Sequence, residues 1–208
     1  MKILGIDPGT ATIGIGIVEC NGESVCSLHS GWIQTSKDDS PEKRLSQIHL
    51  ETTSLIKEHK PDVVAIERLF FFINYKTAMA VSESIGVIKL ACQNQGIPIS
   101  TFAPLEIKST VAGNGKAKKD EMQVAVKKML NIKTPKKKKT HFDDLCDALA
   151  VAICYAKKNL MQPETGVGYN KKRKLGSKLK TTKKKGYKGI TKRRKPSSAE
   201  AAEGEERG

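Results

Sequence analysis

The chain has 208 residues, 38% of them hydrophobic, with 37 Lys+Arg against 22 Asp+Glu and a formal net charge of +15. That length suffices for one well-buried domain with residues left over. The five cysteines are odd in number with no Cys-x-x-Cys pair, and no apolar run reaches membrane-spanning length, so a disulfide scaffold, a zinc ribbon and a membrane protein are excluded and a cytoplasmic location is expected.

Ile3, Leu4 and Ile6 form a short apolar β-run, and Ile13, Ile15 and Ile17 alternate with glycines on the return, so the first twenty residues read as two paired strands. Pro8 and Gly9 supply the turn. Ser24 to Ile33 reads as a third, less regular strand at an edge. Ser40-Pro41 gives an N-cap and first helical position, and Leu45, Ile48, Thr52, Leu55 and Ile56 recur at helical spacing up to Lys60-Pro61. Residues 62–67, Asp-Val-Val-Ala-Ile-Glu, are a β-branched run suited to a strand covered on both faces.

Residues 68–74 form a loop with three of the five phenylalanines, followed by a helix over 76–95 whose apolar face is wide enough to serve a second contact such as a dimer interface. Ile97 to Phe102 is another strand. Residues 105–119 read as a lysine-bearing loop around the Gly113-Asn-Gly115 turn. A helix follows with Met122, Val124, Val126, Met129 and Leu130 as its apolar positions. Residues 133–140 are a basic loop broken by Pro135, and the last helix opens at His141 and runs to Tyr155. This order predicts an α/β domain over residues 1–158 with a mixed sheet. Residues 157–208 carry 17 basic and 5 acidic side chains, against 20 and 17 in residues 1–156. With no apolar periodicity, residues 159–208 read as a basic disordered tail, whose partner is a polyanion such as nucleic acid unless the tail only aids solubility.

Asp7 and Glu67 end two apolar strands, and open α/β sheets gather their ligands at that edge. Asp144 and Asp147 lie three apart on one face of the last helix, beside Leu145, Ala148, Leu149 and Ala152. Taken singly, Asp7 caps its own turn and Asp144 or Asp147 caps a helix; taken together, four acids in one pocket repel one another unless cations intervene. Oxygen ligands suit Mg²⁺ or Mn²⁺. Two such ions roughly 3.5–4 Å apart can activate water and stabilise the leaving oxygen of a phosphodiester. His141 is open between ligand, general base and plain surface residue.

Gly-Ile-Asp7-Pro-Gly-Thr, Ala-Ile-Glu67-Arg-Leu-Phe70, Lys108 with Gly-Asn-Gly-Lys-Ala-Lys-Lys119, and Asp144-Leu-Cys-Asp147-Ala-Leu-Ala together resemble the RuvC family of crossover (Holliday) junction endodeoxyribonucleases, collinearly over residues 1–158. The resemblance implies a ribonuclease-H-like mixed sheet flanked by helices, a homodimer, and paired symmetric nicking of four-way DNA junctions with two Mg²⁺ per subunit, replaceable by Mn²⁺. It makes Asp7, Glu67, Asp144 and Asp147 the metal-binding catalytic acids, Phe70 the base-stacking aromatic, and Lys108 and Lys119 the lysines on the DNA backbone. A RuvAB-type branch-migration complex is a candidate further partner. The Lys136–Lys139 run and the long tail depart from the family pattern in the way DNA is engaged.

Three rivals share some of these features. An actin-like or sugar-kinase-like ATPase needs a second phosphate loop and a second lobe, for which 158 residues leave no room. A ribosomal-RNA-processing nuclease would share Asp7 and Glu67 but not the Asp-x-x-Asp helix with the phenylalanine loop. A non-catalytic junction-binding protein would use the acids for a structural ion.

Overall fold

The computed structural model describes residues 1–69, 75–132 and 142–161, with the backbone alone for residues 75, 76 and 142–144. Five strands form one sheet in the order β3-β2-β1-β4-β5: β1 (Lys2–Asp7), β2 (Thr12–Asn21), β3 (Ser24–Gln34), β4 (Val63–Glu67) and β5 (Ile99–Phe102). The first three pair antiparallel, and β4 and β5 add parallel to β1, so the sheet is mixed and the third strand is an edge, as the sequence predicts.

Alternation of side chains along the strands sorts the core into two layers. Leu4 and Ile6 of β1, Ile13, Ile15 and Ile17 of β2, and Val64 and Ile66 of β4 point to one face. There they meet α1 (Pro41–His59) and α2 (Tyr75–Asn94). Ser40 caps α1 by accepting from the Lys43 amide at 3.3 Å, and Lys60 ends it at φ 50°. The predicted apolar stripe of α1 is the one that packs, with Ile48, Thr52 and Ile56 buried.

The opposite face takes Ile3, Val18, Val63 and Ala65, and carries α3 (Pro104–Ala112), α4 (Lys119–Leu130) and α5 (Phe142–Asn159). Helix α5 crosses β1 and β2 where Gly5 and Gly16 stand opposite each other. A Cβ on Gly5 would lie 2.2 Å from the Ala148 carbonyl oxygen, and one on Gly16 2.7 Å from the Leu149 nitrogen. The two glycines are therefore a flat landing on which the helix rests through Ala148, Leu149 and Ala152.

Two readings need correction. Residues 104–112 are not loop but helix α3. Its nine residues show only one buried pair, Ile107 and Val111, too little for a period to emerge. The start signature was nonetheless present: Pro104 sits at the first helical position, and Glu106 accepts from the Ala103 amide. Val124 of α4 is 64% exposed rather than buried, because Met122, Val126 and Leu130 already fill the stripe facing the core. Four of the cysteines are buried as small apolar residues and Cys26 is exposed. No helix among the described residues is long and apolar enough to cross a membrane. Phe70 to Phe72, the basic loop 133–140, His141 and residues 162–208 of the basic tail lie outside the described residues.

Replacing Gly5 with alanine is expected to cost about 1–3 kcal/mol of stability, the usual penalty for overpacking against a part that cannot yield. Urea denaturation checks this; an unchanged midpoint would mean that α5 is free to lift off the sheet.

Candidate active site

The same alternation that sorts the core also aims the acids. On β1 the face carrying Ile3 and Gly5 is continued by Asp7, and on β4 the face carrying Val63 and Ala65 is continued by Glu67. Ile6 and Ile66 are register partners, so the two acids that follow them leave neighbouring parallel strands at one level. Glu67 is hydrogen-bonded to Asp7.

From α5, Asp147 approaches near enough for its charge to act on Glu67. Residue 144 lies one turn before Ala148, on the helix stripe that rests on Gly5, and its side chain is outside the described atoms. Asp147 is paired with Lys119, Nζ to Oδ2 at 3.3 Å. Lys119 is the first residue of α4, whose start is held by Glu121 accepting from the Lys118 amide at 2.7 Å. Lys108 comes from α3, which α5 grips at both ends. Lys158 pairs with Glu106 in its first turn, and Lys157 donates to the Thr110 carbonyl at 3.1 Å. Glu67, Asp147, Lys108 and Lys119 then line one open cleft of about 200 Å³, floored by Ile107, Met122 and Ala150.

Two acidic strand ends and one acidic helix turn thus converge, and two of the predicted lysines stand with them. Reading the sequence alone placed Lys108 in a loop and missed the apolar floor, although the spacing of Ile107 and Val111 and of Met122 and Val126 carries it. Burial pushes the Glu67 carboxyl above its ordinary value, and the negative charge of Asp147 pushes the same way. The hydrogen bond with Asp7 and the charge of Lys108 act against that rise without cancelling it.

Among the described residues no three carboxylate, imidazole or thiol groups form a ready coordination cluster. The site still fits hard cations by the chemistry of its donors. All are carboxylates, and in the absence of cations Lys119 on Asp147 and the nearby charge of Lys108 offset their repulsion.

The family model described as "Crossover junction endodeoxyribonuclease RuvC" matches residues 3–155. A curated relative of that name from Moorella thermoacetica is 42% identical over 156 residues, 75% of this chain and 91% of the relative. One from Alkaliphilus metalliredigens is 44% identical over 156 residues, 75% and 93% of the two chains. Among solved structures, Thermus thermophilus RuvC superposes with a TM-score of 0.68 at 30% identity, covering 78% of this chain and 99% of that one. The same enzyme in complex with Holliday junction substrate gives 0.68 at 30% identity, covering 75% and 93%.

Because folded Glu67 keeps its proton to higher pH than unfolded Glu67, the folded state binds more protons above the ordinary value of 4.5, and stability falls as pH rises from there through the raised value. Thermal melts of metal-free protein from acid to neutral pH should show this fall, and Glu67→Gln should flatten it. An unaltered slope in Glu67→Gln would assign the dependence to another group.

Proposed function

The chain belongs to the RuvC family of crossover junction endodeoxyribonucleases, and on that premise we propose how its residues share the work. It is a metal-dependent Holliday junction resolvase, a nuclease that binds four-way junction DNA and hydrolyses phosphodiester bonds. The observation that carries the residue assignment is the cleft itself, where Glu67 and Asp147 of the acid set and the two lysines meet.

Asp7, Glu67, Asp144 and Asp147 hold two Mg²⁺ ions, with Mn²⁺ able to replace them. Bound there, the cations supply an activated water and stabilise the leaving oxygen. The protein's part is to hold the acids ionised and aimed. Burial and the charge of Asp147 raise the proton affinity of Glu67, so positive charge entering the site would favour its ionised form. Lys108 and Lys119, on the rim opposite the strand ends, bind the phosphates flanking the cut. Phe70, three residues beyond Glu67, stacks on a base at the crossover, a contact worth roughly 1–3 kcal/mol.

Two symmetric nicks require two copies of the site, so the resolvase works as a two-fold homodimer. Large apolar side chains exposed on α1 and α2, Leu50 at 64% and Met79 and Leu90 at 54% each, support that reading. The net charge of residues 157–208 gives the protein a second, sequence-independent hold on DNA. A branch-migration complex of the RuvAB type delivers the junction, in the cytoplasm where the chromosomal DNA is handled.

Asp7→Asn should abolish nicking of a synthetic four-way junction in Mg²⁺ while gel-shift binding persists; normal cleavage would remove Asp7 from the metal site. Deleting residues 162–208 should lower the slope of log affinity against log salt, since each phosphate contact adds about 0.9 to it on duplex DNA. An unchanged slope would show that the tail makes no contact with the junction.

A further inference from the structure

Behind the turn that follows Asp7 runs a polar chain that the acid cleft does not use. Thr35, just beyond β3 and only 5% exposed, donates its hydroxyl hydrogen to the Thr10 carbonyl at 2.7 Å and its amide to the Ala11 carbonyl at 2.9 Å. Its oxygen in turn accepts from Nε of Arg44 at 2.9 Å. A threonine hydroxyl has one hydrogen. With a lone pair taken by the guanidinium, that hydrogen is directed to Thr10, and the charge of Arg44 polarises the hydroxyl and strengthens the second bond.

Arg44 is held by a rigid element, the first turn of α1, where its amide donates to the Ser40 carbonyl at 3.0 Å. The turn it reaches has no slack either. A Cβ on Gly9 would lie 2.1 Å from the Thr12 carbonyl oxygen, so the backbone closes tightly on itself between Asp7 and β2. Thr10 and Arg44 also line a separate cleft of about 140 Å³ between α1 and α2, on the face of the sheet away from α5.

We propose that Arg44 and Thr35 are positioning residues for the reaction: acting through Thr10 and Ala11, they fix the hairpin turn from behind and so set the direction in which Asp7 presents its carboxylate. Neither touches DNA or metal in this role. The inference rests on the reading of Asp7 as a metal-binding acid.

Thr35→Val keeps the shape and removes the hydroxyl, Thr35→Ser keeps the hydroxyl, and Arg44→Met removes the charge. Thr35→Val and Arg44→Met should each lower kcat for junction nicking about tenfold, less than a 1 Å misplacement costs, with junction KM unchanged. The Mg²⁺ concentration for half-maximal binding, followed by calorimetry without DNA, should rise several-fold in both. Thr35→Ser should restore both quantities. Ile56→Val, a mild core truncation in the same apolar layer, serves as a control that lowers stability without moving either. Wild-type metal binding in Thr35→Val, failure of Thr35→Ser to restore it, or an equal loss in Ile56→Val would overturn the positioning role. An active Asp7→Asn would instead overturn the premise; an inactive Asp7→Asn beside an unaffected Thr35→Val would overturn the positioning role alone.

Discussion

Helix α5 can lie flat on the sheet only because β1 and β2 offer no side chain where it crosses them. Gly5 and Gly16 face each other in register, and the backbone of Ala148, Leu149 and Ala152, with the side chains of Leu149 and Ala152, comes down onto them. A single methyl group at either glycine would hold the helix off. The consequence is functional as well as structural, because α5 carries Asp147 and residue 144, and its depth decides whether they reach the acids at the strand ends. Close packing is what converts a backbone detail into a chemical one.

Around that contact the charges are arranged to be tolerable before any cation binds. A buried carboxylate without compensation is expensive, and here each has a different remedy. Glu67, raised by burial towards keeping its proton, lies within hydrogen-bonding reach of Asp7, while Asp147 leans on Lys119. In the proposed role these carboxylates would hold the divalent ions, and Lys119, which now pairs with Asp147, would stand beside the phosphate.

The lysines depend on elements that the sheet does not position. Helix α3 hangs from α5 by Lys157 and Lys158, and α4 follows it through a short turn whose glycine, Gly113, adopts φ 77°. Both helices pack on α5, which places the basic rim of the cleft beside Asp147. On the far face α1 braces the catalytic turn through Arg44 and Thr35. The cleft is held from two sides of one sheet.

Much of this was readable from the primary structure. The apolar runs of the first and fourth strands, the alternation of the second, the Ser40-Pro41 start of α1 and the Asp-x-x-Asp turn of α5 are local patterns, and local sterics and hydrogen bonding enforce them wherever the chain goes. They sufficed for an α/β domain, a mixed sheet and a shortlist of acids, while Lys108 and Lys119 were singled out by the family resemblance. Helix α3 escaped because nine residues with one buried pair have too little period to be seen, and Val124 was misplaced because apolar character does not say which of several such residues faces the core. That Glu67 meets Asp7, that Lys119 pairs Asp147, and that Ala148 and Leu149 rest on Gly5 and Gly16 are facts about residues dozens of positions apart. Only the folded packing of helix on sheet could decide them, since the energies that bring those groups together arise from neighbours the sequence does not place side by side.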